Sequence, residues 1–366
     1  MKNNYEIGII STGLFPAVKG GKEKQTLFLA RGLSFNNKVN LYTKYNSKNR
    51  VSNIPYKIHQ SKNFTRGNKF NFGSLLFVIF TLKEIIINRN KIGILLCMDH
   101  GVSSIIGFLA NKFLRIPYVV SIRGENFFNR RGRLWVLIFK YIFLNAKNVH
   151  LQSKLLANRF AINFPDTKTV IIPNGISLDF DNYLNFEQRE NQIIYVGSLF
   201  ENPNEKDKGI RHLIRAMENI PNSIRCIIVG DGPERDKLHK MSRNRNVSFL
   251  GSLSSKKVLD LISKSKVLVH PSVSGEGFPN VLLEAMLVGT PIVSTDTGGV
   301  GDFLTNNFNS FIISSKDSDA ISSKVNYLLG NKDNWKNFSV NGLQTIQNYG
   351  WDKILPLFED MLKKDI

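Results

Sequence analysis

Short apolar runs alternate along the chain with stretches in which apolar residues recur every three or four positions. The first pattern predicts buried strands, the second helices packed on one side. Strands are expected at 5–10 (YEIGII), 39–43, 93–97 (GILLC), 117–122 and 148–153, with helices at 23–33, 74–88, 102–114 and 134–144. Residues 46–70 are polar and basic with little periodicity, so no element is predicted there. Pro173-Asn174-Gly175 is a turn signal, and the same grammar then restarts. Strands are expected at 192–199, 225–230, 247–251, 266–272, 291–296 and 310–314, with helices at 209–219, 233–243, 255–264, 279–288 and 317–329. Such alternation argues for parallel sheets covered on both faces. The expected class is therefore α/β, with two doubly wound units joined near residues 171–177. Ligands of such units bind at the carboxyl ends of the strands.

The length of 366 residues fits two domains, and 42% apolar with 21% charged residues is a globular composition. Cys97 and Cys226 each sit in an apolar run, which predicts buried thiols and not a disulfide. The N-terminal MKNNYEIGIIS lacks a signal-peptide pattern. No uncharged apolar run approaches the roughly 18–20 residues needed to cross a bilayer. A cytoplasmic protein is expected, with room for contact at a membrane surface. The net charge of +20 is lopsided: residues 1–175 hold 27 Lys and Arg against 6 Asp and Glu, a net of +21, and the remainder is close to neutral. One half of the chain therefore needs an anionic surface or partner.

The segment from His270 to Asp302, HPSVSGEGFPNVLLEAMLVGTPIVSTDTGGVGD, carries the chemistry. A strand ends at His270-Pro271-Ser272, and a loop follows with Glu276. Pro279 suits a first helical turn and Gly289 a helix end. A helix start presents N–H groups and a positive dipole end, which favours a diphosphate. Glu276 lies in the loop and Glu284 inside VLLEAML. An ionised carboxylate among apolar residues needs donors, and sugar hydroxyls supply them. Taken alone, both acids also fit an ordinary solvated loop and helix face.

EGFPNVLLEAM followed by GTPIVSTDTGGV resembles the signature of retaining glycosyltransferases of family four, the group 1 glycosyltransferases of GT-B fold. Weaker blocks follow in the same order over nearly the whole chain: Gly20-Gly21, IIPNGI (171–176), YVGSL with Lys208-Gly209, VGDGPERDKL (229–238) and VSFLG (247–251). The resemblance implies two facing Rossmann-like, doubly wound parallel-sheet domains with a cleft between them. Residues 1–172 would bind the acceptor, residues 173–349 the nucleotide sugar, and a helix within 350–366 would pack back on the first domain. Glu284 would bind ribose hydroxyls and Glu276 hydroxyls of the transferred sugar. Backbone N–H groups of Gly21, Gly277, Phe278 and Asn280 would hold the diphosphate or sugar, and Lys208 would neutralise phosphate. Charge grows on the leaving diphosphate as the glycosidic bond breaks, so fixed cations and N–H groups act there like an oxyanion hole. The implied donor is a nucleotide-diphosphate sugar, with no metal or other cofactor. The implied reaction moves a hexosyl group to a hydroxyl with retention. The acceptor would be anionic or lipid-linked, an intermediate of surface polysaccharide, and the enzyme would touch the inner face of the membrane without binding nucleic acid.

Two positions depart from the family pattern. Ser198 stands where an arginine usually follows YVG, with Lys206 or Arg211 as substitutes. Arg123-Gly124 stands where a histidine–glycine pair is usual, so Arg123 either meets an anion at the catalytic site or pairs with Glu125. His270 reads as a core or cleft-edge residue. Arg130-Arg131-Gly132-Arg133 before LWVLIFKYIFL fits an interfacial anchor or the solvated start of an apolar core helix. The basic and aromatic stretch 60–72 fits an acceptor groove or a plain surface loop. Two other functions match parts of the pattern: another GT-B enzyme such as a nucleotide-sugar epimerase, and a basic nucleic-acid-binding protein, though stacking aromatics at a motif spacing are missing.

Overall fold

A computed structural model describes residues 5–13, 21–44, 54–61, 72–124, 132–202, 206–242 and 246–363. Gly20, Glu125, Arg130, Arg131, nearly all of 60–72 and the side chain of Lys206 lie outside the described part. The chain divides into two compact units, Met1–Gly175 with Trp351–Ile366, and Ile176–Gly350.

The first unit runs β1 (Glu6–Ser11), α1 (Gly21–Leu33), β2 (Lys38–Lys44), β3 (Lys57–Ser61), α2 (Phe72–Ile87), β4 (Ile92–Cys97), α3 (Val102–Leu114), β5 (Tyr118–Ile122), α4 (Arg133–Leu144), β6 (Asn148–Leu151), α5 (Lys154–Asn163) and β7 (Thr169–Ile171). Its seven strands are all parallel, in the order β3-β2-β1-β4-β5-β6-β7. β4 and β5 are buried at every residue, as a sheet covered on both faces requires. Helices α2 to α5 cover one face, through Phe77, Ile106, Phe143 and Phe160. Helix α1 covers the other through Leu29 and Leu33.

The second unit runs β8 (Glu190–Val196), β9 (Glu201–Asn202), β10 (Lys206–Asp207), α6 (Ile210–Ala216), β11 (Arg225–Val229), α7 (Arg235–Met241), β12 (Val247–Gly251), α8 (Ser255–Lys264), β13 (Ser265–His270), α9 (Asn280–Leu287), β14 (Ile292–Thr295), β15 (Ser310–Ile313), α10 (Ser318–Gly330) and α11 (Lys332–Ile346). Six parallel strands form its sheet in the order β12-β11-β8-β13-β14-β15, and β9 and β10 make a separate antiparallel hairpin. The chain then re-enters the first unit as α12 (Trp351–Leu362). Ile354 and Phe358 of α12 join Leu29 and Leu33 in one core.

Both units are thus Rossmann-like and doubly wound, in the α/β class expected. Several local readings change. β3 is a parallel strand inside the stretch read as structureless; it is a half-exposed edge strand, so its residues lack an apolar period. The strand read to residue 153 stops at Leu151, because the Ser153 hydroxyl accepts the Leu156 N–H and opens α5. Helix α11 went unread, its buried Trp335, Phe338 and Ile346 being diluted by polar neighbours. Cys97 and Cys226 are free and buried.

Candidate functional site

In the second unit the strand order reverses between β8 and β13, and ligand sites of open α/β sheets lie at that point beyond the carboxyl ends. β13 ends there on His270, which is buried, with Nδ1 3.2 Å from Ser294 Oγ. The loop after it holds Glu276.

Two glycines set that loop in place. Gly298 has φ +68°, and a Cβ there would collide with the backbone of Glu276. The N–H of its neighbour Gly299 donates to the Glu276 carbonyl at 2.8 Å. Gly209, after Lys208, has φ +65°, and a Cβ there would strike the Pro271 carbonyl oxygen. Only glycine offers both the left-handed backbone and the missing side chain at these approaches.

Asp207 ties the Lys208 loop to the same place. Its buried carboxylate accepts the Gly209 N–H at 2.9 Å and pairs with Arg211. Its carbonyl accepts the N–H groups of Val273 and Ser274, each at 2.9 Å, and its own N–H donates to Ser274 Oγ at 2.6 Å. Lys208 Nζ consequently reaches the Glu276 carboxylate in an ion pair, with side chains only 12% and 29% exposed. His270 Nε2 lies 3.3 Å from the same oxygen, Oε1. Burial works to raise the Glu276 pKa, but the Lys208 ammonium and His270 together outweigh it and hold the carboxyl well below the usual carboxylate range.

Helix α9 starts directly after this loop. Pro279 occupies its N-cap, one position earlier than the first-turn place expected, and no side chain caps the end. The Phe278 ring anchors the loop against Phe303 and Tyr349, at centroid distances of 4.6 and 5.8 Å. Gly277 is buried beside it. Asn280 and Glu284 lie four residues apart on α9, on one half-exposed face, while Leu282, Leu283, Ala285 and Met286 are buried. The helix ends at Leu287, and Gly289 takes φ +66° just past it.

The structure brings together Lys208, Glu276, Gly277, Phe278, Asn280 and Glu284 within the second unit. Gly21 and Arg123 belong to the first, where Gly21 opens α1 and Arg123 follows β5. Arg123 Nε donates to Ser121 Oγ at 3.0 Å, and its Nη1 is buried with no partner among the described residues. Burial lowers its pKa to about 10, against an opposing pull from Glu23. Ser121 Oγ lies 2.8 Å from His150 Nδ1, and His150 Nε2 lies 2.8 Å from the Ile172 carbonyl. Burial, helped by Arg123, pushes the His150 pKa down to about 3. Arg211, considered as a substitute at Ser198, is committed to Asp207.

The sequence places His270 in the core or at a cleft edge, and it is buried with its ring against Glu276; Asp207 is passed over. His270 had a signal, its place at the end of the strand feeding the Glu276 loop; Asp207 had none, since it sits in an irregular insert. Among the described residues no group of three or more His, Cys, Asp or Glu is arranged to hold a metal ion.

Residues 178–345, nearly all of the second unit, match the family Glycosyl transferases group 1. An uncharacterized glycosyltransferase of Methanocaldococcus jannaschii, MJ1178, is 26% identical over 285 residues, 73% of this chain and 77% of its own. The putative teichuronic acid biosynthesis glycosyltransferase TuaC of Bacillus subtilis is 27% identical over 207 residues, 52% of this chain and 50% of its own. Among solved structures, Anabaena HepE in complex with UDP and glucose superposes with a TM-score of 0.79 at 18% identity, covering 98% of this chain and 99% of that one. The second unit is a group 1 glycosyltransferase domain, and the chain that carries it is a glycosyltransferase.

Proposed function

We propose that the protein moves a hexosyl group from a nucleotide-diphosphate sugar to a hydroxyl, with retention of configuration. The observation that carries this reading is the half-buried Lys208–Glu276 pair at the strand-order reversal, beside the uncapped start of α9. Lys208 supplies a fixed cation for the diphosphate. The backbone N–H groups of Gly277, Phe278 and Asn280 add donors at the positive end of the helix. Glu284 accepts ribose hydroxyls, and Glu276, kept ionised by its neighbours, accepts hydroxyls of the sugar. Within the first unit, the Gly21 N–H and the Arg123 guanidinium are donors suited to an anion. As the glycosidic bond breaks, its electron pair stays on the diphosphate oxygen. That oxygen then takes the proton of the incoming hydroxyl, so no protein nucleophile is required.

HepE was crystallised with UDP and glucose, which supports a nucleotide-sugar donor, and the name of TuaC supports an intermediate of surface polysaccharide as acceptor. Free, buried Cys97 and Cys226 suit a reducing cytoplasm.

Thermal shift against UDP-, GDP- and ADP-sugars tests the reading. The matching donor at about a hundred times its Kd adds about 2.7 kcal/mol of apparent stability. Glu284→Ala should lower that donor's affinity at least about tenfold, through loss of charged hydrogen bonds. Unchanged affinity would overturn the role given to Glu284.

A further inference from the structure

Helices α2 to α5 lie side by side over one face of the first unit's sheet, and their inner sides are spent on its core. Their outer sides are unusual. Of the 22 large hydrophobic residues exposed among the described residues, 13 lie on these four helices. Seven belong to α4 alone, among them Leu134, Trp135, Leu137, Ile138, Tyr141 and Leu144. Leu134 is 70% exposed and Leu137 63%, so these side chains are not edges of the core. Phe139, Ile142 and Phe143 of the same helix are buried, so α4 carries large apolar residues on its outer side as well as its inner one. An aqueous surface does not favour such a helix, and clustered exposure of this kind marks an interaction site.

The charge around it identifies the partner. From Gly132 to Pro165 the sequence has five Lys or Arg and no Asp or Glu. The half of the chain holding this layer carries the +21 excess. Pairing with a second copy through the same patch would set these cations against one another, because a two-fold interface is self-complementary. A bilayer containing anionic lipid satisfies both features, apolar acyl chains for Leu134 and Leu137 and phosphate for the cations. Trp135 and Tyr141 are of the type that sits at headgroup level. Twelve residues of helix are about 18 Å long, well short of a span, and no helix among the described residues is long and apolar enough to cross a membrane.

We infer that the outer face of α4, which lies between α3 and α5, is a membrane-docking surface that lies flat in the headgroup region of an anionic bilayer. The inference stands apart from the transferase reading, since it uses none of the site residues.

Flotation of the full chain with vesicles tests it. Vesicles of about one-third phosphatidylglycerol in phosphatidylcholine should bind at least about tenfold more protein than pure phosphatidylcholine. Raising salt from about 0.1 M to about 1 M should release most of it. Leu137→Glu and Trp135→Glu should each cut binding about tenfold at unchanged Tm, and Leu137→Ala serves if either charged variant fails to fold. Equal binding to pure phosphatidylcholine would overturn the inference, as would undiminished binding by folded variants. A wild-type dimer that Leu137→Glu splits, with no vesicle binding by either protein, would assign the face to a second copy instead.

Discussion

At Glu276 two opposing effects meet. Burial disfavours its charge, and Lys208 with His270 restores it. Because the folded pKa lies below that of a free glutamate, about 4.3, the unfolded chain binds more protons as pH falls through that region. The stabilisation is complete above the unfolded value and is lost as pH drops below it. The melting temperatures of wild type and Glu276→Gln should therefore differ most near neutral pH and converge towards pH 3. A constant difference across that range would refute the coupling. Turnover of Glu276→Gln should fall between about tenfold and a hundredfold, the worth of one charged hydrogen bond. The sequence showed Glu276 as a candidate through its glycine-rich loop. It could not show the partner, because Lys208 lies 68 positions away and the contact depends on the β9–β10 hairpin.

Helix α9 is short, and its position depends on a residue outside it. Arg189 is buried just before β8, and its guanidinium donates to the carbonyls of Val288 and Gly289 at 2.7 and 3.1 Å, past the end of α9. It also donates to Ser265, Thr290 and Leu184 and stacks over Trp335. Burial lowers its pKa to about 9, yet it remains charged at neutral pH and suits the negative end of the helix. Arg189→Met should leave these carbonyls without donors and destabilise by about 3 kcal/mol or more, a fall of roughly 6–12 °C in the second unit's Tm. Donor affinity should weaken with it, because Glu284 rides on α9. Calorimetry showing an unchanged Tm would remove this role. Nothing in the sequence distinguishes Arg189 from the other cations that precede strands.

For the molecule as a whole, the two units differ in how the chain builds them. The second is one continuous segment, whereas the first is completed by α12 from the far end of the chain. Ile354, Phe358, Met361 and Leu362 of α12 are buried in its core, and Asn36 donates to Glu359 at 3.0 Å. Burial of four such side chains contributes roughly 6–12 kcal/mol, comparable with the stability of a whole domain. A chain ending at Gly350 should lose the first unit's unfolding transition and keep the second's. Calorimetry and limited proteolysis would show this, and two intact transitions would refute it.

The α/β class, the restart after Pro173-Asn174-Gly175 and the loop and helix that bear Glu276 and Glu284 are legible in the sequence, because periodicity, turns and helix ends are written in neighbouring residues. The one-sided charge is legible there too. The tertiary structure decided which distant side chains meet: Lys208 with Glu276, Arg189 with the end of α9, α12 with α1. It alone decided which side of α4 faces water, since large apolar residues lie on both its inner and its outer side and only packing against the sheet selects the face to bury.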